Sequence, residues 1–483
     1  MFIERHGLRS AQEQAQAREL ERRLKKENIE LVRLAWVDPH GASRAKALTL
    51  PVFLDALANG YNIVVATSTL DASGGRVFKS FTRGGGMGLE EMTGSPNLVA
   101  VPDPATFRML PWTSGVGWVL CDEYFRDGKP FHFSTRQLLK KQIAKSKYQL
   151  RVGLEVEWYL ARVAEEISDE NVGTPGLKGR ALRTTPFEPG FLYHCETNMD
   201  LMQPVLSELA RTYTALGLPL RSLENEWGPG QIECTFGAQD ALRAADAMFL
   251  FRTATRQVCR RLGCFATFMA RPALKGYYAS GWHLHESLWD GERNVLSPPD
   301  GPEPLSKTGR AFLGGLLEHA VPATVFATPT INGYRRFKVN SLAPDRAGWG
   351  YDHRGAMVRV LGGAGDPATR LENRTGEPAA NPYLFIASQL AAGMDGIARS
   401  ADPGPREDEP YAADRPLLPK NLPAALDALQ ASPLFKQEFG ALFIDYYVKL
   451  KRAEYARFTQ WLSGRDPGEE PTQWEQDEYF DFF

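Results

Sequence analysis

Cysteine is scarce in this chain: Cys121, Cys195, Cys234, Cys259 and Cys264 are the only five among 483 residues. None forms a C-x-x-C pair, so zinc-knuckle and dithiol redox chemistry are not expected. Scattered thiols predict a reduced, cytoplasmic setting in which each Cys is a small core residue. An excess of either charge is also missing, since 56 Lys+Arg face 58 Asp+Glu for a net charge of −2. A nucleic-acid backbone is therefore not the expected partner. Long apolar runs are absent too: none reaches the roughly 18 residues that suggest a membrane span. The best candidate, Phe312 to Ile331, is interrupted by Glu318, His319 and Pro322. The opening Met1-Phe2-Ile3-Glu4-Arg5-His6 lacks the apolar core of a secretory leader. What is present is ordinary globular usage, 43% hydrophobic and 24% charged, with length for two to four domains at about 100–200 residues each.

Residues 10–27, free of Gly and Pro, read as an exposed, charged opening helix. Ile29 to Val37 reads as a strand entering a hairpin at Asp38-Pro39-His40-Gly41. The Gly-rich stretch around Gly84-Gly85-Gly86-Met87-Gly88 lacks the Lys-Ser/Thr of a P-loop, so it reads as a loop without an ATP role. Two strand-like runs, 98–102 and 116–122, complete a small β-rich domain over residues 1–132. A helix over 135–147 then opens a larger domain, 133–483. In it strands alternate with helices at 199–215, 238–262, 309–319 and 382–397, and a last helical stretch spans 424–463.

In a strand, residues i and i+2 share a face, and four apolar runs place polar groups on one face. Glu155 and Glu157 alternate with Leu154, Val156 and Trp158, and Glu233 lies in Gln231-Ile-Glu-Cys-Thr235. His283, His285 and Ser287 oppose Trp282, Leu284 and Leu288, while Arg370, Glu372 and Arg374 share a face, with Arg359 upstream. One such strand reads as a water-facing edge. Four, carrying carboxylate, imidazole and guanidinium but no Lys, point to a divalent-cation shell with mostly oxygen ligands, Mg²⁺ or Mn²⁺. Nearby guanidinium groups grip carboxylate or phosphate oxygens, so the pattern suggests metal-assisted phosphoryl transfer.

The sequence resembles glutamine synthetases and related ligases that join glutamate to other amines. The resemblance rests on Gly153-Leu-Glu-Val-Glu-Trp158, Glu226-Trp-Gly-Pro-Gly-Gln-Ile-Glu233, Ser280-Gly-Trp-His-Leu-His-Glu-Ser-Leu288, Asn332-Gly-Tyr-Arg-Arg-Phe337, Ala343-Pro344, His353-Arg354, Arg370-Leu-Glu-Asn-Arg374 and Asn381-Pro-Tyr-Leu384. It implies an α+β protein: a small β-grasp-like N-terminal domain, then a catalytic domain with a curved, mainly antiparallel sheet and surrounding helices. It further implies that Glu157, Glu226 and Glu233 hold one metal ion and Glu155, His283 and Glu372 a second. By the same resemblance Glu157, Ala279, His283, Arg336 and Arg374 bind glutamate, while His285, Ser287, Arg354, Arg359 and Arg370 contact ATP. Arg354, Arg359 and Arg374 would be catalytic. The resemblance likewise implies that ATP is a substrate, that the intermediate is γ-glutamyl phosphate, and that the assembly is a ring, a dodecamer of two hexamers with sites between subunits.

Three positions depart from the ammonia-using pattern. The Asp-Gly-Ser-Ser stretch of the small domain is replaced by Val64 to Leu70, which includes Ala66 and Ser68. Leu342 stands where a mobile-loop Glu is expected, and Tyr278-Ala279 replaces an Asn-Gly pair. Without a carboxylate at Ala66, Ser68, Tyr278 or Leu342 the acceptor pocket would have too few anions to hold a cation, which favours a bulky, apolar amine such as aniline. Ammonia, aliphatic amines and polyamines remain alternatives, as does a non-catalytic member, and Asp71 or Glu286 could serve as the base. The lone His194 reads as structural, and the acidic, aromatic end from Trp474 to Phe483 as a docked tail or subunit contact.

Overall fold

A computed structural model describes residues 1–339 and 341–483. Two sheets organise them. The first is formed by β1 (Leu31–Val37), β2 (Ser43–Thr49), β3 (Tyr61–Val64), β4 (Asn97–Pro102), β5 (Arg108–Met109) and β6 (Val116–Tyr124). Its order is β2-β1-β6-β4-β3, with β5 added beside β6. β1 runs parallel to β6 while the other pairs are antiparallel, and the helix Leu50–Asn59 packs on it, as in a β-grasp arrangement.

The β1–β2 hairpin closes because the buried Asp38 carboxylate accepts from the amides of His40 and Ala42 at 3.0 and 2.8 Å. Gly41 turns there with φ of +79°, and a Cβ on it would lie 2.9 Å from the Cα of Asn381. The opening helix, Ala11–Leu24, starts with a Ser10–Glu13 capping box. It is not simply exposed as expected: Ala17, Leu20 and Leu24 fall on one helical stripe and are buried.

The second sheet is formed by β7 (Gln149–Val163), β8 (Thr184–Pro186), β9 (Leu220–Asn225), β10 (Gln231–Asp240), β11 (Cys264–Thr267), β12 (Trp282–Asp290), β13 (Arg293–Asn294), β14 (Trp349–Tyr351), β15 (Val358–Leu361) and β16 (Arg370–Gly376). Its path is β14-β15-β16-β12-β7-β10-β9, antiparallel except for β14 with β15. The long β7 lies at its middle. Leu154, Val156 and Trp158 are buried on one face in the same core as helices Ala241–Arg261 and Pro382–Arg399. The opposite face carries Glu155 and Glu157.

Helix ends differ from the sequence reading where caps and breakers act. Asn381 caps Pro382–Arg399 through the amides of Tyr383 and Leu384, and Ser400 closes it in the left-handed region. The last helical stretch is divided into Leu422–Ala431 and Ala441–Leu462, with Pro433 and Gly440 (φ +94°) between them. The acidic, aromatic end is docked: Tyr479 and Phe480 are buried, the Tyr479 hydroxyl donates to Glu454, and Glu478 accepts from Ser73 and Arg457. Among the described residues no helix is long and apolar enough to cross a membrane.

One buried cation joins the two sheets. Arg136 donates to Asp122 at 2.8 Å and Asp103 at 2.7 Å beside the first sheet, and to Asp246 at 2.9 and 2.8 Å on the helix Ala241–Arg261. Removing the guanidinium would leave three carboxylates facing one another. Arg136→Ala is therefore expected to lose about 3–5 kcal/mol of stability, read by urea denaturation at pH 7; a loss below about 1 kcal/mol would show that the node does not hold the sheets together.

Candidate active site

Strand register builds the site. On the open face of the second sheet, Glu224 of β9, Glu233 of β10 and Glu157 of β7 stand directly opposite one another across neighbouring strands. A second row runs Thr235, Glu155, His283, and a third His285, Glu372, Arg359. Like charges directly opposed across strands repel, and here they are also drawn out of water.

The acid–base state of the site follows from this crowding. Burial, then the Glu157 charge, pushes Glu226 up to about 8. Burial, then Glu155 and Glu157, pushes Glu233 up to about 10. Burial also raises Glu157 above its ordinary value, although it accepts from the Gly281 amide at 3.0 Å and the Gln231 side chain at 2.9 Å. Glu155 goes the other way: burial opposes its charge, but His283 and His285 outweigh it and hold the carboxyl low. For Glu372, burial is likewise outweighed by His283 and Arg374.

The donors fit a divalent cation. One ligand atom each from Glu155, Glu233 and His283 lie within 4.8 Å of one another, and so do atoms from Glu155, His285 and Glu372. A cation would relieve the repulsion that pushes Glu233 toward protonation, and it would accept imidazole as a further ligand. This grouping differs from the two sets expected by resemblance: Glu155 takes part in both clusters, and His285, expected at ATP, joins one of them.

The arginines approach from β15, β16 and the turn Asn332–Arg336. Arg359 donates to Glu372 at 2.9 Å and to Asp352 at 3.0 Å, and Arg374 donates to Glu372 from the same strand. Arg336 is buried and donates to the Thr375 carbonyl at 3.0 Å. The Nε atoms of Arg336 and Arg374 are buried without a partner, two unused donors that would suit a carboxylate or phosphoryl oxygen. Gly281 makes room here: a Cβ on it would lie 2.9 Å from His283 Nε2 and 3.1 Å from Arg336 Nη2.

A cavity of about 310 Å³ gathers these groups, with Glu155, Glu157, Glu226, Glu233, Ala279, His283, Arg336, Arg354, Arg359 and Arg374 in its wall. Glu372 is fully buried and outside that wall, and it accepts from Arg359 and Arg374, which are in it. A cavity of about 660 Å³ shares Glu155, Glu224 and Thr235 with it and is lined by His285, Ser287 and Arg370. The residues expected at ATP are thus divided between two adjoining cavities; Arg370 Nε is 3.1 Å from His285 Nδ1, and Ser287 accepts from Trp289 at 2.9 Å.

The other residues singled out in the sequence take the following places. Tyr278 and Leu342 line the first cavity, but Ala66 and Ser68 do not; they belong to the turn Val65–Ser68 beside the first sheet, where Ser68 is buried and its carbonyl accepts from Tyr446. Asp71 is occupied by the amides of Ser73 and Gly75 and by Arg457, so it is no free base. Glu286 lies on the face of β12 opposite His283 and His285, fully buried without a hydrogen-bond partner, and burial pushes its carboxyl well up. Turned into the core, it is not placed to take a proton from an amine in the cavity. His194, read as structural, instead lines the cavity at φ +53° with Nε2 3.3 Å from Glu224.

The sequence reading missed Gln231, Glu224, Tyr193 and Trp227. Gln231 carried a signal, two residues before Glu233 on the same side of β10, while Glu224 lies in β9 two residues before Glu226, which follows that strand. Tyr193 stacks on Trp227 with ring centres 5.0 Å apart and on His194 at 3.9 Å. These rings come from irregular segments, where no periodicity announces them.

A family model described as the glutamine synthetase catalytic domain matches residues 132–479. A γ-glutamylanilide synthase from Acinetobacter sp. is 43% identical over 465 residues, covering 94% of this chain and 93% of that one. A glutamine synthetase from Halobacterium salinarum is 34% identical, covering 79% and 82%. Among solved structures, a GmaS/ADP complex superimposes with a TM-score of 0.76 at 28% identity, covering 95% of this chain and 98% of that one.

Metal binding should reverse the pH response of the fold. Glu226 and Glu233 are raised from 4.5 to about 8 and about 10, so the folded chain binds protons that the unfolded chain releases. Without metal, stability is therefore expected to fall as pH rises from 4.5 through that range. Scanning calorimetry at pH 6.5 and 8.5 should show a larger Mn²⁺-induced rise in Tm at the higher pH. An equal or smaller rise there would contradict the carboxylate assignment.

Proposed function

The chain belongs to the glutamine synthetase family and is a carbon–nitrogen ligase, and on that premise we propose that it joins the γ-carboxylate of L-glutamate to an apolar, aromatic amine such as aniline. The observation that carries this reading is the wall of the catalytic cavity. Tyr193, Trp227, Tyr278 and Leu342 all line it, and all are open, at 46%, 40%, 40% and 47% exposure. Four large apolar side chains kept open beside a cluster of carboxylates are unusual for a pocket meant to hold a small cation, and suit a flat apolar acceptor. The similarity to a γ-glutamylanilide synthase supports the same reading.

In this account the γ-carboxylate oxygen of glutamate attacks the γ-phosphorus of ATP, the bond to the bridging oxygen breaks, and ADP leaves. The amine nitrogen then attacks the acyl carbon, phosphate departs with the carbon–oxygen electron pair, and one proton leaves the nitrogen. An arylamine is neutral at pH 7, so its lone pair is available without a base. Arg336 and Arg374 hold glutamate with their unused donors, next to Glu157, His283 and the Ala279 backbone. Arg354 and Arg359 face the transferring phosphoryl group, and His285, Ser287 and Arg370 hold the nucleotide in the adjoining cavity. Mg²⁺ or Mn²⁺, bound by Glu155, Glu157, Glu226, Glu233, His283 and Glu372, supplies neutralisation of phosphoryl charge.

The same reading divides the chain at residues 132 and 133 and places it in the cytoplasm as a ring of subunits, a dodecamer. Ala66 and Ser68 then belong to the acceptor side of a neighbour's site, which accounts for their distance from the cavity of their own chain.

Phosphate release from ATP and glutamate with Mg²⁺ or Mn²⁺ should be at least about tenfold faster in kcat/KM with aniline than with ammonia, ethylamine or putrescine, a difference of about 1.4 kcal/mol. Mass spectrometry should find γ-glutamylanilide. The Leu342→Glu variant should lose part of that preference. Faster turnover with ammonia would overturn the apolar-acceptor reading.

A further inference from the structure

A cavity of about 670 Å³ lies between the β1–β2 turn, the helix Ala241–Arg261 and the C-terminal residues, and none of its lining residues belongs to the catalytic cavity. Its wall carries Arg44, Arg252, Arg256, Arg260 and Arg261, with Asp481 as its one acidic residue. Arg252, Arg256 and Arg260 are spaced i, i+4, i+8, so their guanidinium groups stack along one helix face and repel.

The pairing of these cations is what distinguishes the cavity. Arg44 is matched by Asp38 at 2.8 Å. Among the described residues Arg252, Arg256, Arg260 and Arg261 have no carboxylate within 4.0 Å, whereas the buried Arg136 is surrounded by three aspartates. Arg252 donates only to the carbonyls of Gly41, Pro378 and Ala380, and Arg256 only to those of Asp481 and Phe482. Main-chain carbonyls satisfy hydrogen bonds but leave the charge unmatched. Asp481 is a weak counter-charge, since burial raises its carboxyl and its Oδ1 is buried without a partner. The helix dipole can favour Arg260 and Arg261, which lie in the last turn, but it does not account for Arg252 and Arg256. Phe249, Phe265 and Phe482 supply apolar wall between the cations.

We propose that this arginine-lined cavity is a second binding site, separate from catalysis, for a small molecule carrying two or more oxyanion groups, either phosphates or carboxylates. The cavity has the size of a small-ligand pocket, and guanidinium forks bind both oxyanions in paired geometry. The inference stands independently of the amine assigned above.

Isothermal titration of the full chain in EDTA, with pyrophosphate and with citrate as probes, tests the proposal. EDTA removes metal-bridged binding, and the catalytic cavity has arginines of its own, so the binding that reports the arginine cavity is the part lost in the variants below. At least one probe should bind at one site per chain, more weakly as salt rises, and the better probe tells phosphate from carboxylate. The Arg260→Ala/Arg261→Ala double variant alters exposed side chains and should keep its Tm while binding at least about tenfold more weakly. Arg261→Glu should weaken binding in the same direction. The proposal is overturned if neither probe binds or if the variants bind as the wild type does. It is equally overturned if the variants change the native mass, which would mean that an acidic surface of a second copy fills the cavity.

Discussion

Repulsion between carboxylates that strand register holds face to face is the constraint around which the catalytic face is arranged. Glu224, Glu233 and Glu157 form one row across β9, β10 and β7, and Glu155 sits beside it between Thr235 and His283. In water such groups would separate; here the backbone ladder does not let them. The chain answers with imidazoles at 283 and 285, with Arg359 and Arg374 on Glu372, and with protons held by Glu226 and Glu233. Each answer is partial, and a divalent cation is the group whose charge would complete the balance. The opposite face of the same strands, with Leu154, Val156 and Trp158, fixes the register by burial, because a slip of one residue would exchange the two faces.

Much of this was legible in the sequence because strands have period 2. Glu155 and Glu157, His283 and His285, and Glu372 with its two flanking arginines were placed on the correct face by alternation alone, and the family resemblance then gave them roles. Alternation does not say which residue stands opposite which on the next strand. For that reason the shared position of Glu155 and the presence of His285 in a metal-competent cluster appear only in the fold. Glu286 shows the limit of composition: it is acidic and next to a histidine, yet alternation turns it into the core.

Other elements left no periodic trace. Tyr193, His194 and Trp227 sit in irregular segments, with His194 at positive φ, and their convergence on the cavity depends on the turns around Gly190 and Gly230, whose amides both bind Glu188. The Arg136 node draws on residues 103, 122 and 246, too far apart in sequence to be read together. The terminal helix was drawn too long because Pro433 and Gly440 act locally within an otherwise helical composition. The candidate site therefore combines carboxylate, imidazole and guanidinium groups legible from strand alternation with an aromatic wall built from loops, the part of a fold that varies most readily.

Mn²⁺ binding to wild type and Glu155→Gln, followed by electron paramagnetic resonance, tests the central claim most directly. If Glu155 is shared by two cation clusters, the wild type binds at least two Mn²⁺ per chain and the single substitution weakens both sites. Unchanged stoichiometry and affinity in Glu155→Gln would contradict the account, because the carboxylate rows would then not be what holds the metal.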